Sequence, residues 1–193
     1  GPYFNMDQKG AQDPRYIVPP RKDHYMAILE KADGLIKRWS VAPELDGAME
    51  FIRDVSSMGI VVSGGHTKAD FDTIGRAVDC GMTMLTHYYS AMSSMVKKGS
   101  WKILGATEAG LYFDELTVEL ISDGCHIPEH LLKLIFKLKD KSKIIGSSDS
   151  MRGAGFESGE SILGPKNNGT PVVIEDGVAK LMDRSCFAGS IAT

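Results

Sequence analysis

The chain has few cysteines, no long apolar run and no excess of one charge, and each absence excludes something. Cys80, Cys125 and Cys186 are odd in number and widely spaced, which excludes a disulfide framework and a zinc-knuckle pattern and favours a reducing compartment. No stretch reaches the roughly 18 apolar residues of a membrane helix, and no signal-peptide pattern opens the chain. A soluble, cytoplasmic protein that binds no membrane is expected. Lys and Arg number 22 against 25 Asp and Glu, a net charge of -3, with both signs scattered along the 193 residues. A nucleic-acid partner, which calls for a basic face, is therefore not expected. The Lys-rich stretch at Lys137, Lys139, Lys141 and Lys143 alternates with apolar residues and Asp140, and reads as the solvated end of a helix.

What is present is a regular alternation of two periods. After an irregular opening over 1–21, a helical stretch near 22–32 leads to an apolar segment, Gly34 to Val41, that reads as a strand. Pro43 is expected to open a helix to about Met58, with Met49, Ile52 and Val55 on one face. Ile60 to Ser63 is a short β-branched run suited to a buried parallel strand. Thr67 to Asp70 resembles a capping box for a helix carrying Phe71, Ile74 and Val78, which Gly81 ends. Strands are expected at Met82 to Thr86, Leu116 to Ile121 and from Lys143 to Gly146, with a short helix before the second. Pro128 starts an amphipathic helix through Leu138 before the third. Strand and helix in alternation imply an α/β fold built on a parallel sheet. Residues 152–170 are rich in Gly and Pro and read as irregular. Beyond them Val172-Val173-Ile174 and Val178 to Leu181 flank Asp176-Gly177, a hairpin signal lying outside the parallel sheet.

The chemistry sits after the strands. Successive strands end in Gly65-His66, Thr86-His87, Asp123-Gly124-Cys125-His126 and Asp149-Ser150. In parallel α/β folds that edge gathers ligands and catalytic groups. A single His there can be structural, and a single Asp can be a helix cap. Three strand ends each bearing such a group point to a site. Imidazoles from two strands with carboxylates nearby suit zinc or a similar metal. A catalytic metal keeps three protein ligands and an open position, and lowers the pKa of its water from 15.7 to roughly 7. A neighbouring carboxylate can then move the proton.

Taken in order and spacing, Gly65-His66-Thr67, Thr86-His87 with Ala91-Met92, Asp123-Gly124 with His126, Asp149-Ser150-Met151 and Phe187-Ala188-Gly189-Ser190 resemble the N-acetylglucosamine-6-phosphate deacetylases of the amidohydrolase superfamily. Gly1 to Asn5, Lys9 to Gln12 and Ala42-Pro43-Glu44-Leu45 match as well, so the resemblance runs from residue 1 to 193. It implies part of a (β/α)8 TIM barrel, with residues 1–170 as its later strands and helices. Residues 171–193 become a hairpin and substrate loop belonging to a small β-domain. It implies hydrolysis of the acetamide of N-acetylglucosamine 6-phosphate, His66 and His87 as ligands of a divalent metal, most simply Zn2+, and Asp149 as the base. It makes His126 a substrate contact and places Ala11, Gln12, Ser90, Ala91, Phe187, Ala188 and Gly189 where the sugar phosphate is held.

Two features depart from that pattern. Ser90 stands where the family usually has Asn, and Val96 to Lys102 stands where an Arg-bearing motif grips the phosphate. Lys98, with Lys97 and Lys102 close by, is the nearest equivalent; all three can equally be solvated loop lysines. Lys meets phosphate as a point charge and not through a bidentate fork. Deacetylation of another N-acetyl amino sugar is the alternative. The resemblance also puts a third metal ligand, a Glu, just before residue 1, and the early barrel strands before that. An isolated chain is then expected to bind metal weakly, to be inactive at worst and act only as an assembly module, and to cover its open sheet edges in a homo-oligomer, a dimer in the intact enzyme, or with another segment.

Overall fold

Each strand of the parallel sheet is four or five residues long, and all but the first give way to polar residues at or just after their ends. The computed structural model describes residues 2–192; Gly1 and Thr193, and with Gly1 the start of the first matched segment, lie outside the described residues. Two turns of 3-10 helix, Met6–Gln8 and Pro14–Tyr16, precede α1 (Lys22–Ala32) and β1 (Arg38–Val41). There follow α2 (Ala48–Ser57), β2 (Val61–Gly64), α3 (Phe71–Asp79) and β3 (Met82–Leu85). A ribbon of β4 (Val96–Lys98) and β5 (Trp101–Ile103) leads to α4 (Ala106–Tyr112), β6 (Thr117–Ile121), α5 (Glu129–Leu138) and β7 (Ile144–Ser147). The chain continues through β8 (Gly159–Leu163), β9 (Thr170–Glu175), β10 (Val178–Leu181) and β11 (Phe187–Ser190).

One sheet has the order β1-β2-β3-β6-β7, and every neighbouring pair in it is parallel. The expected α/β architecture on a parallel sheet is present. All five carboxyl ends therefore lie along one edge, with β1 and β7 as the outer strands. Behind the sheet, α2 buries Phe51, Ile52 and Val55, and α3 buries Ile74 and Ala77. Tyr3 stacks on Trp39 at 5.5 Å, and Phe51 meets both edge-on at 5.2 Å, which ties the opening segment to β1 and α2. Phe51 is fully buried. Phe51→Ala is expected to cost about 3–5 kcal/mol, read as a lowered denaturant midpoint with an unchanged slope.

Several local expectations are corrected. The strand begins at Arg38, not Gly34, because Asp33 and Gly34 both take positive φ (45° and 74°) and reverse the chain after α1. Pro43 does not open α2; turns run to Gly47, and the helix starts at Ala48. Thr67 does not cap α3. That cap is Asp70, whose side chain accepts the Thr73 N–H at 2.8 Å. The β4–β5 ribbon stands in place of a loop, and so does β8, which lacks any apolar alternation and pairs only at the edge of its sheet.

The second sheet is antiparallel, in the order β11-β10-β9-β8. Asp176 and Gly177 turn the expected hairpin with φ of 53° and 78°, the left-handed pair that a two-residue turn demands. Its small core joins Val172, Ile174, Ala179 and Ala188 to Met151. β11 runs back to the large sheet: the Ser190 N–H donates to Asp149 O at 3.0 Å, and the Met151 N–H to Ser190 O at 2.9 Å. No helix among the described residues is long and apolar enough to cross a membrane.

Candidate active site

A cleft of about 480 Å3 opens at the carboxyl edge of the parallel sheet, between it and β11. His66, His87, His126 and Asp149 line it, as do Ala11, Gln12, Ser90, Ala91, Phe187, Ala188 and Gly189. Lys98 is absent from its walls, as are Lys97 and Lys102; all three lie exposed on the β4–β5 ribbon, and no Lys or Arg is among the lining residues.

The two imidazoles face each other. His66 Nε2 and His87 Nε2 are 3.1 Å apart, the rings edge-to-face with centroids at 4.7 Å. His66 Nδ1 lies 2.8 Å from Gln8 O, and His87 Nδ1 lies 3.1 Å from Ser90 O. A carbonyl can only accept, so each Nδ1 carries its hydrogen and each Nε2 presents a lone pair. Two lone pairs at that distance repel unless a cation lies between them, and tethering Nδ1 to a carbonyl is how metal-binding histidines are oriented. Burial, reinforced by the nearby His87, pushes the His66 pKa down to about 4, so His66 is neutral at pH 7, as a metal ligand must be. The pair thus fits two positions of a metal centre. Among the described residues no group of three or more His, Cys, Asp or Glu is placed to hold an ion.

Both histidines sit in left-handed backbone, φ 49° for His66 and 32° for His87, and each turn is fastened by a glutamate. Glu44, in the turn after β1, accepts the Thr67 hydroxyl at 2.5 Å and the Lys68 N–H at 2.6 Å. Glu119, in the middle of β6, accepts the Thr86 hydroxyl at 2.5 Å and the His87 N–H at 3.2 Å with one oxygen. Its other oxygen takes Arg38 Nη1 at 3.0 Å. Burial raises the Glu119 pKa, but the bonds from Thr86 and Arg38 outweigh it and hold the carboxyl below its usual range. Gly65, between the two turns, has no room for a side chain: a Cβ would lie 2.3 Å from Thr86 Cγ2. Glu119→Ala would strand the Thr86 hydroxyl, the His87 N–H and part of Arg38. About 1–3 kcal/mol of stability is expected to be lost for the stranded groups, measured by chemical denaturation.

Sequence reasoning missed the glutamate clamps and Phe4, whose ring packs on His66 with centroids 4.3 Å apart. A signal for Glu119 existed: a charge inside the apolar run Val118-Glu119-Leu120-Ile121 is costly unless partnered. Phe4 carried no such signal, since its contact is made across the fold.

Asp149 follows β7 with φ 46°; its N–H donates to Ser147 Oγ at 3.2 Å and its carbonyl is held by Ser190. The carboxylate makes no hydrogen bond among the described residues and faces the cleft. Gly189, at φ 103°, lets β11 pass this turn, where a Cβ would meet Asp149 O and Met151 Cβ at 3.1 Å. On the far side, His126 Nδ1 lies 2.7 Å from Asp123 Oδ2.

No family model matches the chain. It is 35% identical over 191 residues to the N-acetylglucosamine-6-phosphate deacetylase of Bacillus subtilis (strain 168), a match that covers 99% of the chain and 46% of that protein. An N-acetylgalactosamine-6-phosphate deacetylase of Escherichia coli O157:H7 is 29% identical over 84% of the chain and 42% of that protein. Among solved structures, a variant N-acetyl-D-glucosamine-6-phosphate deacetylase of Mycobacterium smegmatis, in complex with N-acetyl-D-glucosamine-6-phosphate, superposes with a TM-score of 0.92 at 28% identity. That match covers all of this chain and 49% of the other. The chain spans about half the length of the curated relatives it matches. In sequence and in fold, over its whole length, this chain is a relative of the N-acetylglucosamine-6-phosphate deacetylase family.

Proposed function

We propose that the chain supplies the catalytic strand ends for metal-dependent hydrolysis of the acetamide of N-acetylglucosamine 6-phosphate to glucosamine 6-phosphate and acetate. The observation that carries this reading is the His66–His87 pair, Nε2 to Nε2 at 3.1 Å with both Nδ1 atoms committed to carbonyls, in a cleft that also takes Asp149 and His126. His66 and His87 would hold a divalent metal, Zn2+ in this reading, with a third protein ligand from outside the described residues. When bound there, it supplies polarisation of the amide carbonyl and a water whose pKa is lowered to about 7. Asp149 takes a proton from the attacking water and returns it to the amine as the C–N bond breaks. Phe4, Ile121, Met151 and Phe187 make the cleft partly apolar and limit competing water. Ala11, Gln12, the Ser90-Ala91 turn and Phe187 to Gly189 are assigned to the sugar phosphate. Lys98 stays a candidate for the phosphate only if the β4–β5 ribbon takes up a different position.

In the same reading the five parallel strands are part of a (β/α)8 barrel, whose remaining strands would pair the outer edges of β1 and β7. Residues 1–170 belong to that barrel and 171–193 to a small β-domain and substrate loop. A homo-oligomer is proposed because the ribbon exposes Val96 and Trp101, the latter 77% accessible.

A second reading, deacetylation of a different N-acetyl amino sugar, is favoured by the absence of Lys and Arg from the cleft walls among the described residues. The Escherichia coli relative is named for a different N-acetyl amino sugar that keeps the 6-phosphate, so it supports a change of sugar and not loss of the phosphate. Rates of acetate release from N-acetylglucosamine and from its 6-phosphate separate the two. A preference for the phosphate by orders of magnitude supports the first reading, and equal rates support the second.

A further inference from the structure

His126 has a dedicated carboxylate partner that the deacetylation reading leaves unused. After β6 the chain turns at Gly124, φ 76°, and folds the Asp123 side chain over Cys125 and His126. Asp123 Oδ1 accepts the N–H of Cys125 at 2.9 Å and of His126 at 3.0 Å, and Oδ2 lies 2.7 Å from His126 Nδ1. The His126 and Asp123 side chains are only 6% and 3% exposed. Burial raises the Asp123 pKa, yet the bonds from the His126 and Cys125 amides and the His126 ring outweigh it and hold the carboxyl below its usual range. An ionised carboxylate accepts and cannot donate, so the hydrogen between the two groups belongs to Nδ1. The ring is steadied by Phe187, edge-on at 4.9 Å. His126 Nε2 makes no hydrogen bond among the described residues, and His126 lines the cleft.

We propose that Asp123 is a positioning residue that fixes the His126 tautomer with its hydrogen on Nδ1, so that Nε2 meets the ligand as a hydrogen-bond acceptor. With the imidazole neutral, the group it recognises is a donor, a sugar hydroxyl or an amide N–H. This rests on the deacetylase reading for the identity of the ligand, while the tautomer itself does not depend on it. Asp123→Asn provides a nearly isosteric reversal. Its amide oxygen can keep both backbone bonds, while its NH2 now faces Nδ1 and drives the ring hydrogen to Nε2. An acceptor becomes a donor at an unchanged position.

The test is nitrogen-15 NMR of histidine-labelled protein, with His126 assigned by the loss of its signals in His126→Ala, alongside steady-state kinetics on N-acetylglucosamine 6-phosphate. The wild-type ring is expected to carry its hydrogen on Nδ1, and Asp123→Asn to move it to Nε2. KM should rise about 10–100-fold, the effect of an unmatched buried polar group, with kcat changed less. In the His126→Ala background, Asp123→Asn should raise KM no further, because it acts through the ring. A wild-type ring protonated on Nε2 overturns the proposal, even if the variant does not fold. So does an unchanged tautomer in Asp123→Asn, or an equal KM penalty in both backgrounds. A protein that shows the tautomer switch but does not hydrolyse N-acetylglucosamine 6-phosphate would overturn the deacetylase reading and leave this one standing.

Discussion

In the intact enzyme, Asp149→Asn is expected to lower kcat by about 10²–10⁴-fold, the scale of general acid–base catalysis, while leaving KM nearly unchanged. The backbone around Asp149 is held from both sides: its N–H donates to Ser147 Oγ, and its carbonyl accepts from the Ser190 N–H. The side chain is left for the cleft, with no hydrogen bond among the described residues to employ it otherwise. Asn keeps the shape and both backbone bonds and removes only the basic oxygen. Steady-state kinetics that show an unchanged kcat would refute the role of base. A loss confined to KM would make Asp149 a binding residue.

The second large effect concerns the paired imidazoles. In the intact enzyme, where the third ligand is present, His66→Ala or His87→Ala is expected to abolish stoichiometric metal binding, measured by metal analysis after dialysis. The loss should exceed the about 10–100-fold that removal of an outer-shell partner costs, because a ligand itself is deleted. The two variants differ in what else they disturb. His66 is 8% exposed, with Phe4 and Gly10 packed against it, so His66→Ala also opens a cavity. His87 removal costs less in packing, and its metal loss is the cleaner readout. Retention of full metal content in His87→Ala would show that the facing lone pairs serve some other purpose.

The parallel sheet and the strand-end residues are legible in the sequence because they obey local rules. A short apolar or β-branched run that gives way to a polar residue marks a buried strand and its exit, as at β2, β3, β6 and β7. The Asp176-Gly177 hairpin is legible for the same reason, through turn chemistry. Boundaries depend on contacts that sequence does not display. Pro43 has the residue type of a helix start, but Glu44 is taken up with Thr67 and Lys68, and Gly47 defers α2 to Ala48. Thr67 has the residue type of a cap, but its hydroxyl is committed to Glu44, leaving Asp70 to cap α3. β8 has neither alternation nor β-branched residues at most positions; it is a strand because β9 offers it an edge. The site divides along the same line. His66, His87, His126 and Asp149 can be named from their places after strands, whereas Glu119 and Phe4 act through tertiary contacts that bring together residues 32 and 62 positions apart. Lys98 illustrates the reverse, a residue assigned by motif alignment that the ribbon holds away from the cleft.

The central claim is metal-dependent amide hydrolysis at the His66–His87 pair. It is tested most directly by following acetate release from N-acetylglucosamine 6-phosphate by the intact enzyme before chelation, after it, and after zinc is returned. Activity that disappears with the metal and recovers with zinc is the predicted result. Acetate release at an undiminished rate from protein shown by analysis to be free of metal would contradict the account.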